Sequence, residues 1–288
     1  LLKEDIRNPE AVHSAMSDVD TVIHLAAISN DPTGEVDEVL TRQVNFDAVG
    51  LLITAAKKTG VKRFINASSS SVFGARDESN ITEDLEPKPI THYSRYKMLA
   101  EWIVRAAADD RFCTVSIRPA TVCGYSPRQR FDLTVNKLTA DAVRKGVITV
   151  HGGNQRRPNI SMTDMINLYA NLIGTESRLI NGQVFNFGFE NHKVIDIAKL
   201  IKAELKDIPV EIKVTDVLDQ RDYHISSEKI VKDLNYTQVS SIAKSVLELR
   251  ERLDRPDEFK DIDSSEYYNM KVMALARDSR PYQFLSKA

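Results

Sequence analysis

Residues 63–74 read RFINASSSSVFG, and nineteen residues further on residues 93–97 read YSRYK. The first stretch decides the fold class. Arg63 to Ser68 has the length and apolar content of a strand, and it empties into four consecutive hydroxyls, Ser68 to Ser71, before closing on Gly74. The second stretch opens a helix, because Tyr93 to Ala108 contains neither Gly nor Pro. A strand, a polar loop and a helix make half of a βαβ unit. Such units build parallel sheets whose ligands collect at the carboxyl ends of the strands.

Outward from this stretch the alternation continues. Upstream, Thr21 to Ala27 (TVIHLAA) reads as a strand, and Glu38 to Thr59 as one helix, with Val39, Val44, Leu51, Leu52 and Ala55 near helical spacing and Gly60 as its stop. Downstream, Thr114 to Val122 reads as a strand with Pro119 toward its end. Then come helix Leu133 to Lys145 before Gly146, helix Met162 to Thr175, strand Gln183 to Phe187, helix Val194 to Leu205 and strand Val210 to Val214. The expected class is α/β: a Rossmann-like, doubly wound parallel sheet with a smaller C-terminal substrate lobe. The sheet domain is assigned to 1–122 and 159–189, the lobe and a C-terminal arm to 123–158 and 190–288. The polar tail from Arg255 to Ala288, with Phe259, Tyr267, Tyr268, Tyr282 and Phe284, reads as an arm, a neighbouring subunit being one surface for it.

One part of such a domain is absent from these residues. No G-x-G-x-x-G or G-x-x-G-x-x-G run occurs, and Asp5-Ile6-Arg7-Asn8-Pro9-Glu10 reads like the loop and helix start after a third strand. The expectation is that two or three βα units, about 60 residues, precede Leu1. The alternative is a true fragment.

Composition narrows the function classes. The 288 residues carry a formal net charge of −2, which gives no basic field for nucleic acid. No apolar run reaches the length of a membrane span, and the first residues lack the pattern of a signal peptide. Cys113 and Cys123 lie in or beside an apolar β-like run and read as buried free thiols, pointing to a reducing cytoplasm. The six histidines show no metal-ligand spacing, so no metal is expected.

The chemistry is concentrated in Tyr93 and Lys97. Four apart at a helix start, they share one face. A phenol is a poor base near neutral pH, and an adjacent ammonium favours its phenolate, so Y-x-x-x-K is a way of building a general base. A strand-end serine is placed to hydrogen-bond the oxygen that the tyrosine deprotonates. The pattern of strand, serine cluster, Val-aromatic-Gly and Y-x-x-x-K is more specific than any of its parts.

Taken together these stretches resemble the extended short-chain dehydrogenases, in particular the NAD-dependent epimerase/dehydratase family. The resemblance implies NAD as cofactor and a nucleotide sugar as substrate. It implies Tyr93, Lys97 and Ser69 as catalytic residues, with Ser68 and Ser70 as neighbouring candidates for the serine. Cofactor contacts are implied at Asp5 and Ile6, at Ala26 and Ala27 of the HLAA run, at Asn45, at Tyr93 and Lys97, and at Pro119. Substrate contacts are implied at Ser69, Ser70, Asn136, Lys137, Arg157 and Arg221. Phe73 and Cys123 stand where the family carries tyrosines, and Lys137 where it carries an asparagine. The resembling 4,6-dehydratases have Asp and Glu directly after the catalytic serine or threonine; here Ser70 and Ser71 stand there, and a carboxylate from elsewhere in the chain, such as Asp31 or Asp132, is the remaining route to dehydration. The expected activity is therefore epimerisation of a nucleoside-diphosphate sugar by a cytoplasmic homodimer of carbohydrate metabolism. A dehydratase, a keto-sugar reductase and a non-catalytic NAD(P)-sensing protein are the alternatives. The sequence leaves open the sugar, the base and the choice of NAD or NADP.

Overall fold

The computed structural model describes residues 1–76, 78, 80–216 and 224–279. In chain order its elements are α1 (Pro9–Ala15), β1 (Thr21–His24), α2 (Asp31–Gly34), α3 (Glu38–Arg42), a π turn (Gln43–Asp47), α4 (Ala48–Thr59), β2 (Arg63–Ala67), a 3₁₀ turn (Ser70–Phe73), α5 (His92–Ala106), β3 (Cys113–Pro119), β4 (Thr121–Cys123), α6 (Thr134–Lys145), β5 (Val147–His151), β6 (Arg156–Ser161), α7 (Met162–Gly174), α8 (Ser177–Ile180), β7 (Gln183–Phe187), β8 (Glu190–Lys193), α9 (Val194–Glu204), β9 (Glu211–Thr215), α10 (Glu228–Leu234), α11 (Ile242–Leu253), a 3₁₀ turn (Ser265–Tyr267) and α12 (Asn269–Ser279).

The main sheet is all parallel, in the order β1-β2-β3-β7. Successive residues of a strand point to opposite faces, and the two faces of β2 feed different cores. Phe64 packs with Val12 of α1, with Val49, Leu52 and Ile53 of α4, and with Val104 of α5. Ile65 joins Val115 and Ile117 of β3, Phe185 and Phe187 of β7, and Leu168 and Leu172 of α7. Helices thus cover both faces, which gives the doubly wound α/β arrangement expected from the alternation.

A second region is built from the three-stranded sheet β4-β6-β8 and the parallel pair β5-β9. Its core sets Leu138 and Ala142 of α6, Ile148 and Val150 of β5, Ile197 and Ile201 of α9 and Val246 of α11 together. The chain from Arg255 onward folds back on itself through residue 279. Phe259, Phe131 and Tyr267 stack edge to face at ring separations of 5.1–5.7 Å, beside Leu249 and Leu253. The tail therefore packs on its own chain as far as the structure describes it; Tyr282 and Phe284 lie outside the described residues.

Several sequence expectations need correction. The helix expected over 38–59 is interrupted by the π turn at Gln43–Asp47. The strand expected over 114–122 divides at Pro119, where the chain leaves the main sheet and β4 joins another; Pro cannot donate to a ladder. The strand expected to reach Ala27 ends at His24. Gly60 and Gly146 do close their helices, at φ +82° and +66°.

Candidate active site

The site lies where β1, β2 and β3 end. The Ser68 N–H donates to the Ile117 carbonyl at 2.8 Å, continuing the β2–β3 pairing one residue past the strand. Ser69, in extended conformation, then caps the 3₁₀ turn: its Oγ accepts from the Ser71 N–H at 3.1 Å and donates to Ser71 Oγ at 3.1 Å. Ser68, Ser69 and Ser70 are all buried.

The facing wall is the first turn of α5. Thr91 is its N-cap in a reciprocal capping box: Thr91 Oγ1 accepts from the Ser94 N–H and Ser94 Oγ from the Thr91 N–H, each at 3.1 Å. The cap fixes where the helix begins, and so places Tyr93 and Lys97 one turn apart on its buried face. Lys97 Nζ reaches the end of β2 and donates to the Ala67 carbonyl at 2.7 Å. Burial pushes this ammonium down to about 8. At the end of β1, burial and then the nearby Lys97 charge push His24 down to about 3, so its imidazole is neutral near pH 7. Against Tyr93 lies Gly34: a Cβ on that glycine would stand 2.7 Å from the tyrosine Cβ. The outer face of α5 carries Trp102, about half exposed.

The loop after β1 completes this end of the sheet. Asn45 sits in the π turn, a wider turn than an α-helix makes. Its Oδ1 accepts from the Ile28 N–H at 2.8 Å and its Nδ2 donates to the Ile28 carbonyl at 2.9 Å. The loop so held leaves Leu25 and Ala26 exposed and Ala27 half-buried. Asp5 pairs with Arg7 at 2.6 Å, and Arg7 Nη1 donates to Gln43 Oε1 of the same π turn at 2.8 Å. Ile6 is half-buried beside them. Pro119 closes β3, and behind it the buried Arg118 and Glu101 pair through two bonds of 2.5 and 3.0 Å.

The residues foreseen for substrate are more dispersed. The buried Asn136 amide is engaged with backbone, accepting from the Gly124 N–H at 2.9 Å and donating to the Arg130 carbonyl at 3.0 Å. Lys137 pairs with Asp141, one turn along α6, at 2.5 Å. Arg157 lies buried on β6, with Nη1 donating to the Arg156 carbonyl at 2.9 Å. Arg221 lies outside the described residues. Asp31, named from the sequence only beside Asp132 as a carboxylate that could reach in, does reach the serine turn. Its Oδ1 accepts from Thr91 Oγ1 at 2.6 Å and its Oδ2 from Ser71 Oγ at 3.1 Å. Nothing local in the chain marks it. Thr91 was not assigned from the sequence, although the T-x-x-S spacing at the head of α5 is a helix-start signal that could have found it.

Residues 1–188 match the NAD dependent epimerase/dehydratase family, and the chain belongs to that family. Among curated relatives, it is 30% identical over 192 residues to GDP-6-deoxy-D-talose 4-dehydrogenase of Aggregatibacter actinomycetemcomitans, covering 63% of this chain and 61% of that protein. It is 27% identical over 224 residues to dTDP-D-glucose 4,6-dehydratase of Mus musculus, covering 74% and 61%. The chain thus spans less than two thirds of the length of these relatives. The fold is similar to that of UDP-glucuronic acid 4-epimerase from Bacillus cereus, solved with UDP-glucuronic acid and NAD: TM-score 0.76, 24% identity, covering 88% of this chain and 80% of that one.

Proposed function

We propose that this protein is an NAD-dependent epimerase of a nucleoside-diphosphate sugar. The observation that carries the reading is the meeting of the buried Tyr93–Lys97 face with the Ser69 turn at the carboxyl end of β2. The exposed apolar Leu25 and Ala26 beside it suit the nicotinamide half of a dinucleotide. Lys97, Asn45 through its loop, and Pro119 would hold that half, and Asp5 with Ile6 the adenine side. A glycine-rich turn for the pyrophosphate is not among these 288 residues. NAD, when bound, supplies a hydride acceptor that later returns the hydride, so no net reduction accumulates. Tyr93 takes the proton from a sugar hydroxyl and gives it back after the keto sugar has turned over. Ser69 hydrogen-bonds the same oxygen, with Ser70 beside it. Lys97, with its pKa near 8, keeps its charge at neutral pH.

In this reading residues 1–122 and 159–189 hold the cofactor, while 123–158 and 190–288 supply the substrate lobe. Arg157 and Arg221 bind the diphosphate, since guanidinium forks suit phosphate oxygens. Asn136 and Lys137 border it. The protein works as a cytoplasmic homodimer. Among the described residues no helix is long and apolar enough to cross a membrane.

One observation favours dehydration as a second reading: Asp31 brings a carboxylate to the serine turn. Both its oxygens accept from protein hydroxyls, and neither Ser70 nor Ser71 has the acidity to replace the missing carboxylates. Epimerisation therefore has the stronger support. Incubation with UDP-, dTDP- and GDP-hexoses, followed by mass spectrometry and sugar analysis, tests it. The expected product has the substrate's mass and one inverted carbon; a product lighter by one water would replace this reading with the dehydratase. Tyr93→Phe should cut turnover at least ~100-fold, the low end for a lost general base; near-normal turnover would remove the mechanism.

A further inference from the structure

We propose that Asp31 is the positioning residue that sets the serine turn against the tyrosine helix, a proposal that rests on the reading of the site given above. One carboxylate bonds both walls: Ser71 on the turn and Thr91, the N-cap of α5. An ionised carboxylate only accepts, so both hydroxyl protons point at Asp31. That fixes the direction of the whole chain. With its own proton on Asp31, the Ser71 oxygen is left as an acceptor that holds Ser69 Oγ at 3.1 Å, and the Ser69 proton turns from Ser71 to the sugar oxygen when substrate is bound. The placement of Ser69 Oγ and its spacing from Tyr93 are thus set by a residue that acts through Ser71 and Thr91.

The segment that delivers Asp31 is held on every side. Asn30 has φ +81° and ψ 157°, a conformation a non-glycine residue adopts only when its surroundings impose it. Its Oδ1 accepts from the Thr33 N–H at 2.9 Å and its Nδ2 donates to Asp132 at 3.3 Å. Arg130 donates to Ser29 Oγ at 3.2 Å, and Asn269, at the start of α12, donates to the Ser29 carbonyl at 3.3 Å. Strain that is kept in place by this many contacts, one residue before the carboxylate, marks Asp31 as aimed at the site. A displacement of about 1 Å between reacting groups can cost orders of magnitude in rate.

The variants are Asp31→Asn, Asp31→Ala, Ser71→Ala and the double Asp31→Ala/Ser71→Ala, with Tyr93→Phe measured alongside. The asparagine amide keeps the shape but offers N–H where a proton must be accepted. On the nucleotide hexose that turns over, Asp31→Asn should lower kcat by about tenfold or more, with KM and the thermal midpoint nearly unchanged. The double variant should be no slower than the slower single variant, because the two residues act through one another. Thr91→Val should lose rate and Thr91→Ser recover it. Independently of turnover, amide exchange in the peptide over 69–73 should speed up in Asp31→Ala while that of α4 stays unchanged. A kcat within twofold of the parent, losses that multiply in the double variant, or unaltered exchange at 69–73 would each overturn the proposal. If Tyr93→Phe is inactive and Asp31→Asn is normal, only the role of Asp31 has failed; if both are active, the reading of the site has failed.

Discussion

Lys97 is where the fold's stability and the chemistry oppose each other. A fall from the usual 10.5 to about 8 corresponds to roughly 3 kcal/mol of cost for keeping the side chain charged at neutral pH. Its bond to the Ala67 carbonyl offsets about 1 kcal/mol of that. Lys97→Met should therefore be more stable by about 2 kcal/mol at pH 7, in the manner of other destabilising site residues, and should not turn over substrate. Between about pH 8 and 10.5 the unfolded chain holds a proton on this lysine that the folded chain has released, so this group's contribution makes stability rise with pH. Turnover should fall over the same window as the ammonium is lost. Urea midpoints and rates at pH 7 and 9.5 check both; parallel trends would contradict the assignment. The Tyr93–Lys97 helix face and the serine turn were legible because each is a short local pattern. Asp31 could be named only as one of two carboxylates able to reach in, because its partners Ser71 and Thr91 lie 40 and 60 residues away in the chain.

Between elements, one close control on the tyrosine is the contact of α2 with α5. Gly34→Ala would set a methyl 2.7 Å from the Tyr93 Cβ, a separation that side chains do not tolerate. The two helices must part, at a cost of about 1–3 kcal/mol for overpacking. Turnover should drop by about tenfold or more as Tyr93 moves, although Gly34 carries no reactive group. Unchanged kinetics in Gly34→Ala would mean that α5 is not held from this side. The break in the helix at Gln43–Asp47 has the same character. Residues 38–59 have helical periodicity throughout, and the wider turn there goes with tertiary bonds, of Asn45 with Ile28 and of Arg7 with Gln43. Periodicity reports which face is buried; it does not report which side chain is needed by a distant loop.

Across the whole molecule, the main sheet was readable, as were α6, α9 and β9 of the second region, but β5, β6 and β8 were not. The last two are short and polar in composition: β6 is RRPNIS, largely buried, and β8 is ENHK. Alternation cannot flag such strands: β6 is covered by α7 and α11, and β8 lies against α9. The two regions are joined at Asp132, which accepts from Arg130 at 2.8 Å, from the Asn269 N–H at 2.9 Å and from Asn30 at 3.3 Å. Asp132→Ala removes the acceptor common to the 128–132 loop, α12 and the loop after β1. It should cost about 2 kcal/mol, the scale of bonds to a charged group, and raise KM more than it lowers kcat. A thermal midpoint and KM equal to those of the parent would show that the three segments hold together without it.

The single tryptophan lies on the outside of the helix whose inside carries Tyr93 and Lys97. With excitation beyond the tyrosine band, the emission of these 288 residues therefore comes from one indole, about half of it in water, on the outer surface of α5. Quenching by iodide or acrylamide gauges how open that surface is. A second body laid over the helix would shift the emission to the blue and shield it from the quencher, with no label introduced.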